Sequence, residues 1–152
     1  MTKLTGLVAG IGMLLTAVTA SAHEIKHKSL EIIHPWTPAA ADQSERDAAV
    51  DMRIRNLGKM PDRLLSTSSA RASKAQLQSS IGATMRPVDA IELKPGAEFA
   101  MTTRGTHIMM FGLAKPLFAY DSFPITQVFE NAGSIDVEVM VEELETEPRK
   151  PS

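Results

Sequence analysis

The run Ile135-Asp136-Val137-Glu138-Val139-Met140-Val141 places an apolar residue at every second position on one side, with Asp136, Glu138 and Met140 on the other. Side chains alternate sides along an extended strand but recur every third or fourth residue on a helix, so this run fits a strand with one wet face. Val50-Asp51-Met52-Arg53-Ile54-Arg55-Asn56 repeats the pattern, with Arg53 and Arg55 on the wet side. Further period-two or short apolar runs predict strands at Leu30 to Ile33, Leu64 to Thr67, Lys74 to Gln78, Met85 to Val88, Phe99 to Thr102, His107 to Phe111 and Thr126 to Phe129. Turn residues punctuate them at Asn56-Leu57-Gly58, Lys94-Pro95-Gly96, Arg104-Gly105 and Asn131-Ala132-Gly133. Strands this short, with no amphipathic helix between them, predict an all-β fold, an antiparallel sandwich or barrel. Ala39 to Ala49 fits either a turn or two of helix or an exposed loop. Pro35 biases His34 toward extended backbone, and Trp36 is expected to anchor the first strand in the core.

The two ends differ from this body. Residues 1–22 carry one positive charge at Lys3, an apolar run from Leu7 to Val18 and the small residues Ala20-Ser21-Ala22. That order predicts a cleavable secretory signal peptide, its apolar run being shorter than the roughly 20 residues a spanning helix needs. Cleavage would leave His23 at the N-terminus of an exported, periplasmic protein with no further membrane contact. Residues 23–141 are expected to form one β domain. Residues 142–152 begin with the acidic run Glu142 to Glu147 and read as a flexible tail.

Composition narrows the chemistry. The chain has no cysteine, which excludes disulfides, thiolate metal sites and cysteine nucleophiles. A formal charge of -2, with no basic cluster, argues against nucleic acid and anionic membranes as partners. No nucleophile elbow, phosphate loop, zinc-protease helix or dinucleotide fingerprint occurs, and the histidines form no acid-base pair, so no enzyme is predicted. A monomeric binding protein is expected. Nine methionines, two of them in the leader, in an exported chain without cysteine direct attention to soft-metal chemistry through thioether and imidazole.

His107-Ile108-Met109 is the sharpest local feature. On a strand its first and third side chains share a face, which makes a two-ligand platform, while Met110 points the other way into the core. Alone, such a pair is more often a satisfied histidine beside a core methionine. Gly105 and Thr106 put it near the beginning of a strand, hence near a rim. His23, if terminal, offers an amine and an imidazole to Cu(II), and His27 lies four residues on. His34 reads as structural.

Several segments in order resemble one family. They are His34-Pro35-Trp36, Asn56-Leu57-Gly58, Asp62-Arg63-Leu64-Leu65, Met85-Arg86-Pro87-Val88, Leu93-Lys94-Pro95-Gly96, Gly105 to Leu113, Lys115-Pro116-Leu117 and Phe129 to Gly133. Together, from Leu30 to Val141, they resemble the PCuAC family of periplasmic copper chaperones. The resemblance implies a cupredoxin-like Greek-key β sandwich or barrel, binding of copper, with Cu(I) favoured, and delivery to a copper-accepting protein in cytochrome c oxidase assembly. The family's metal motif is a histidine, ten residues, a methionine, twenty-one residues, then His-x-Met. Its second half stands here as Met85, His107 and Met109, with twenty-one residues between Met85 and His107. Gln78 occupies the place of the first histidine, and the loop from there to Met85 is about four residues short. Three soft ligands suffice for Cu(I), with Gln78, His23 and His27 as auxiliary candidates. The alternative is a family member whose metal site has decayed, serving as a protein-interaction or structural module.

Overall fold

The computed structural model describes residues 24–144. The predicted leader, His23 and residues 145–152 of the predicted tail lie outside the described residues. Eleven strands carry the described chain: β1 (Glu24–His27), β2 (Leu30–Pro38), β3 (Ala48–Asn56), β4 (Asp62–Ser68), β5 (Ala72–Ile81), β6 (Thr84–Pro87), β7 (Ile91–Leu93), β8 (Glu98–Met101), β9 (Thr106–Leu113), β10 (Ser122–Phe129) and β11 (Gly133–Glu142). No helix long and apolar enough to cross a membrane occurs among the described residues. All nine strands predicted from alternation are present. β1 and β7 are additional: β1 pairs with β2 from Glu24↔Ile33 to His27↔Leu30, so the segment around His27 is a sheet strand and not a free arm. Ala39 to Asp47 contains no helix, and Ala48 and Ala49 already belong to β3.

The main path of the sheet runs β6-β5-β9-β3-β2-β11-β10-β4-β7, with β1 added to β2 and β8 to β3. Most neighbours are antiparallel, but β2 and β11 run parallel through Met140↔Trp36, Val141↔Thr37 and Glu142↔Pro38. The sheet is therefore mixed, because β11 meets β2 from the far end of the chain and no hairpin forces it to run the opposite way. Glu142, assigned to the tail by sequence, closes this pairing, and its carbonyl accepts the Ala39 N–H at 2.7 Å. β3 changes partner along its length, pairing with β9 through Ala48 to Val50 and with β8 through Met52 to Arg55. That switch curls the sheet into a half-barrel around Val50, Ile54, Leu64, Ile108, Met110, Ile125, Val137 and Val139, all at most 1% exposed.

Two buried polar residues fasten the turns. The Asn56 side chain donates to the carbonyls of Met60 (2.9 Å) and Leu93 (3.0 Å) and accepts the N–H of Gly58 (3.0 Å). A Cβ at Gly58 would stand 2.8 Å from Ser29, which is why glycine follows Leu57. The Asp62 carboxylate accepts the N–H groups of Arg63, Asn131 and Ala132 at 2.8 to 3.0 Å, tying β4 to the β10–β11 turn.

His34 and Trp36 differ from expectation. β2 carries an extra residue between Ile33 and Trp36, and His34 sits there at φ 50°, in the left-handed region and not extended. The bulge leaves Trp36 half-buried on the outer face, outside the core cluster.

Asn56→Ala would strand the buried Leu93 carbonyl together with the part-buried Met60 carbonyl and Gly58 N–H. We expect a loss of about 3 kcal/mol, read as a lower urea midpoint with an unchanged slope.

Candidate metal centre

The first three strands of the sheet path build the site. β5 lies between β6 and β9, pairing Ser80↔Met85 and Gln78↔Pro87 on one side, Gln78↔His107 and Gln76↔Met109 on the other. Directly opposed residues share a face, as do residues two apart, so Gln76, Gln78, Met85, His107 and Met109 all stand on one face. The intervening Leu77, Ile108 and Met110 are buried on the other. Met110 is thus a core residue, as its parity predicts.

Within this face the placement is graded. His107 and Met109 are neighbours on β9. Met85 belongs to β6, two strand spacings or roughly 10 Å from β9, and is level with Ser80, two residues past the Gln78↔His107 pair, so meeting His107 would require it to lean across β5. Its thioether chain is flexible, and the residue is 37% exposed. Gln78 stands between them, its side-chain N–H donating to the Gln76 side-chain oxygen at 3.2 Å. The short loop of the motif is the tight β5–β6 hairpin, closed by Ile81↔Thr84 around Gly82 at φ 65°. His27 does not join the group. It pairs with Leu30, level with Asn56, whereas His107 lies just past the Val50↔Ile108 pair, about 20 Å away along β3.

His107 lies on the outer face yet is only 3% exposed, and its Nδ1 is buried without a hydrogen-bond partner. A buried ring nitrogen left unbonded is costly, and a cation would supply the missing partner. No three of His, Asp and Glu gather anywhere among the described residues, so the donors available here are thioether sulfur, imidazole nitrogen and amide oxygen. That donor set fits a soft monovalent ion.

The rim is fixed by the backbone. Thr102 N–H donates to the Thr106 carbonyl at 2.7 Å, and Ser80 N–H to that of Gly105 at 3.1 Å. Asp51, level with His107 on β3 if the ladder is continued one step, accepts both the N–H and the hydroxyl of Thr103. A cleft of about 290 Å³ opens beside Met109, between Ala40, Glu45, Thr103 and Leu117. Sequence reasoning missed Gln76 and Asp51. The signal for Gln76 was its two-residue offset from Gln78; Asp51 shows itself only through the β3–β9 pairing.

Comparison with known proteins places the fold. The family model described as "Putative lipoprotein LpqE-like" matches residues 30–141. A solved structure of a copper-bound PCuAC domain from PmoF2 is 30% identical, with TM-score 0.70, covering 80% of this chain and 99% of that one. The chain belongs to the LpqE-like family of PCuAC-type domains. The apo PmoF2 PCuAC domain is similar to this PCuAC-type domain at 28% identity and TM-score 0.70, covering 82% of this chain and 98% of that one. The solution structure of CuI-DR1885 from Deinococcus radiodurans, 22% identical, shares the fold at TM-score 0.58, covering 83% of this chain and 85% of that one. Among curated proteins none matches this PCuAC-type domain.

The opposite orientations of Met109 and Met110 give a paired test. Met109→Leu should leave thermal stability nearly unchanged and weaken Cu(I) binding, whereas Met110→Leu should keep Cu(I) binding and shift the melting midpoint. Gln78→His, directly opposite His107, should tighten Cu(I) binding by about 10-fold, roughly 1.4 kcal/mol, in a chelator competition.

Proposed function

We propose that this domain is an exported copper chaperone that holds Cu(I) through Met85, His107 and Met109 and passes it to a copper-accepting protein. The observation that carries this reading is the buried, unbonded Nδ1 of His107 on the same face as two methionines. Two sulfurs and one nitrogen favour Cu(I), for which low coordination numbers suffice, and give Cu(II) too few nitrogen and oxygen donors. With Gln78 in place of a second imidazole, the site should be weaker than the full motif would allow. Weak binding at a rim suits transfer, since a carrier must release what it holds. The predicted leader points to the periplasm, and family resemblance points to assembly of a cytochrome c oxidase copper centre as the destination.

The Gln78–Gln76 hydrogen bond and the position of β5 between Met85 and His107 favour the second reading, a decayed site in a domain kept for protein interaction. Anaerobic titration of the protein with Cu(I) against a chromophoric chelator separates the two. The chaperone reading predicts an ion bound in competition with the chelator and lost in a His107→Ala, Met109→Ala double variant that remains folded by circular dichroism. Folded protein that takes no Cu(I) at micromolar concentration would favour the decayed site. Binding unchanged in the double variant would remove these residues as ligands.

A further inference from the structure

A second group of soft donors lies on β2 and β11, away from the face just described. The bulge in β2 turns His34 outward, its ring stacked on that of Trp36 with centroids 6.0 Å apart and planes inclined by 20°. Trp36 is the sole tryptophan of the chain. It pairs directly with Met140, which is half-buried on the outer face of β11. Adjacent strands lie about 4.8 Å apart, so indole and thioether rise side by side. Two residues beyond Met140, Glu142 lies on the same face, and its carboxylate meets His34 Nε2 at 2.5 Å. In the register of the strands, His34 precedes Trp36 and Glu142 follows Met140, so their bridge spans the level of the Trp36–Met140 pair.

We propose that His34 and Met140, with the Trp36 ring alongside, form a second Cu(I)-binding patch. The Glu142 carboxylate accepts the proton on Nε2 and so fixes the tautomer that leaves the Nδ1 lone pair free. A carboxylate behind a ligating imidazole orients the ring and raises its basicity. Nδ1 and the Met140 sulfur then supply nitrogen and thioether, and the indole face adds the attraction of an electron-rich ring for a cation. The sequence hides this group because a bulge residue at positive φ and a parallel strand pair with a partner about a hundred residues away bring it together.

The sole tryptophan reports on the patch. Anaerobic titration of the protein with Cu(I), followed by Trp36 emission, should show quenching that persists in a Met85→Leu, Met109→Leu variant and is lost in His34→Asn and in Met140→Leu. Asparagine tolerates the left-handed backbone at position 34, and leucine conserves volume at 140, so both variants should fold, with circular dichroism as the check. Glu142→Gln should weaken the quenching event about 10-fold while keeping its amplitude. Emission unaffected by Cu(I), or quenching that disappears with Met85 and Met109 but survives His34→Asn, would overturn the proposal. Copper binding at the β9 face with an unresponsive Trp36 would overturn this patch alone.

Discussion

The register of β9 between β5 and β3 is the constraint on which everything else rests. It sends Ile108 and Met110 into the core and turns His107 and Met109 to the opposite face. A slip of one residue would exchange these sets, turning the imidazole into the apolar core and exposing two fully buried side chains, so burial itself holds the register. The packing of Ile108 against the half-barrel interior is in this sense what positions the proposed ligands. The Asn56 and Asp62 staples act farther away, fixing the turns at the ends of the strands that frame the core.

Chemistry on the outer face follows from what those parities leave there. Of the seven methionines after residue 22, Met52, Met101 and Met110 are buried in the core, so a methionine count alone says little about metals. What separates Met85 and Met109 is a shared face with a histidine whose ring nitrogen is buried without a partner. The replacement of the first motif histidine by glutamine lowers the number of strong neutral donors while leaving the sulfur character intact. A carrier that exchanges its ion gains from such a balance.

Much of this was legible in the sequence where burial dictates it. Period-two runs marked nine of the strands, and parity alone separated Met109 from Met110. The parallel β2–β11 pairing was not legible, since alternation reports a face and not a neighbour. His34 and Trp36 were misplaced because a single extra residue in β2 reverses the bias that Pro35 imposes and rotates the indole outward. β7, at three residues, is too short to show a period. The role of Asp62 depends on N–H groups about seventy residues away, and no local pattern announces it. The family motif put Gln78 in the place of its first histidine, but only the sheet register shows that Gln78 stands opposite His107 and between His107 and Met85.

The claim at the centre is that two thioether sulfurs and one imidazole converge on a single soft ion. Copper K-edge X-ray absorption of the Cu(I)-loaded His34→Asn protein, which isolates the β9 face, reads that coordination directly. The account predicts a shell of two sulfurs and one nitrogen that loses a sulfur in Met85→Leu. A shell of nitrogen and oxygen alone, or one unchanged by Met85→Leu, would contradict it.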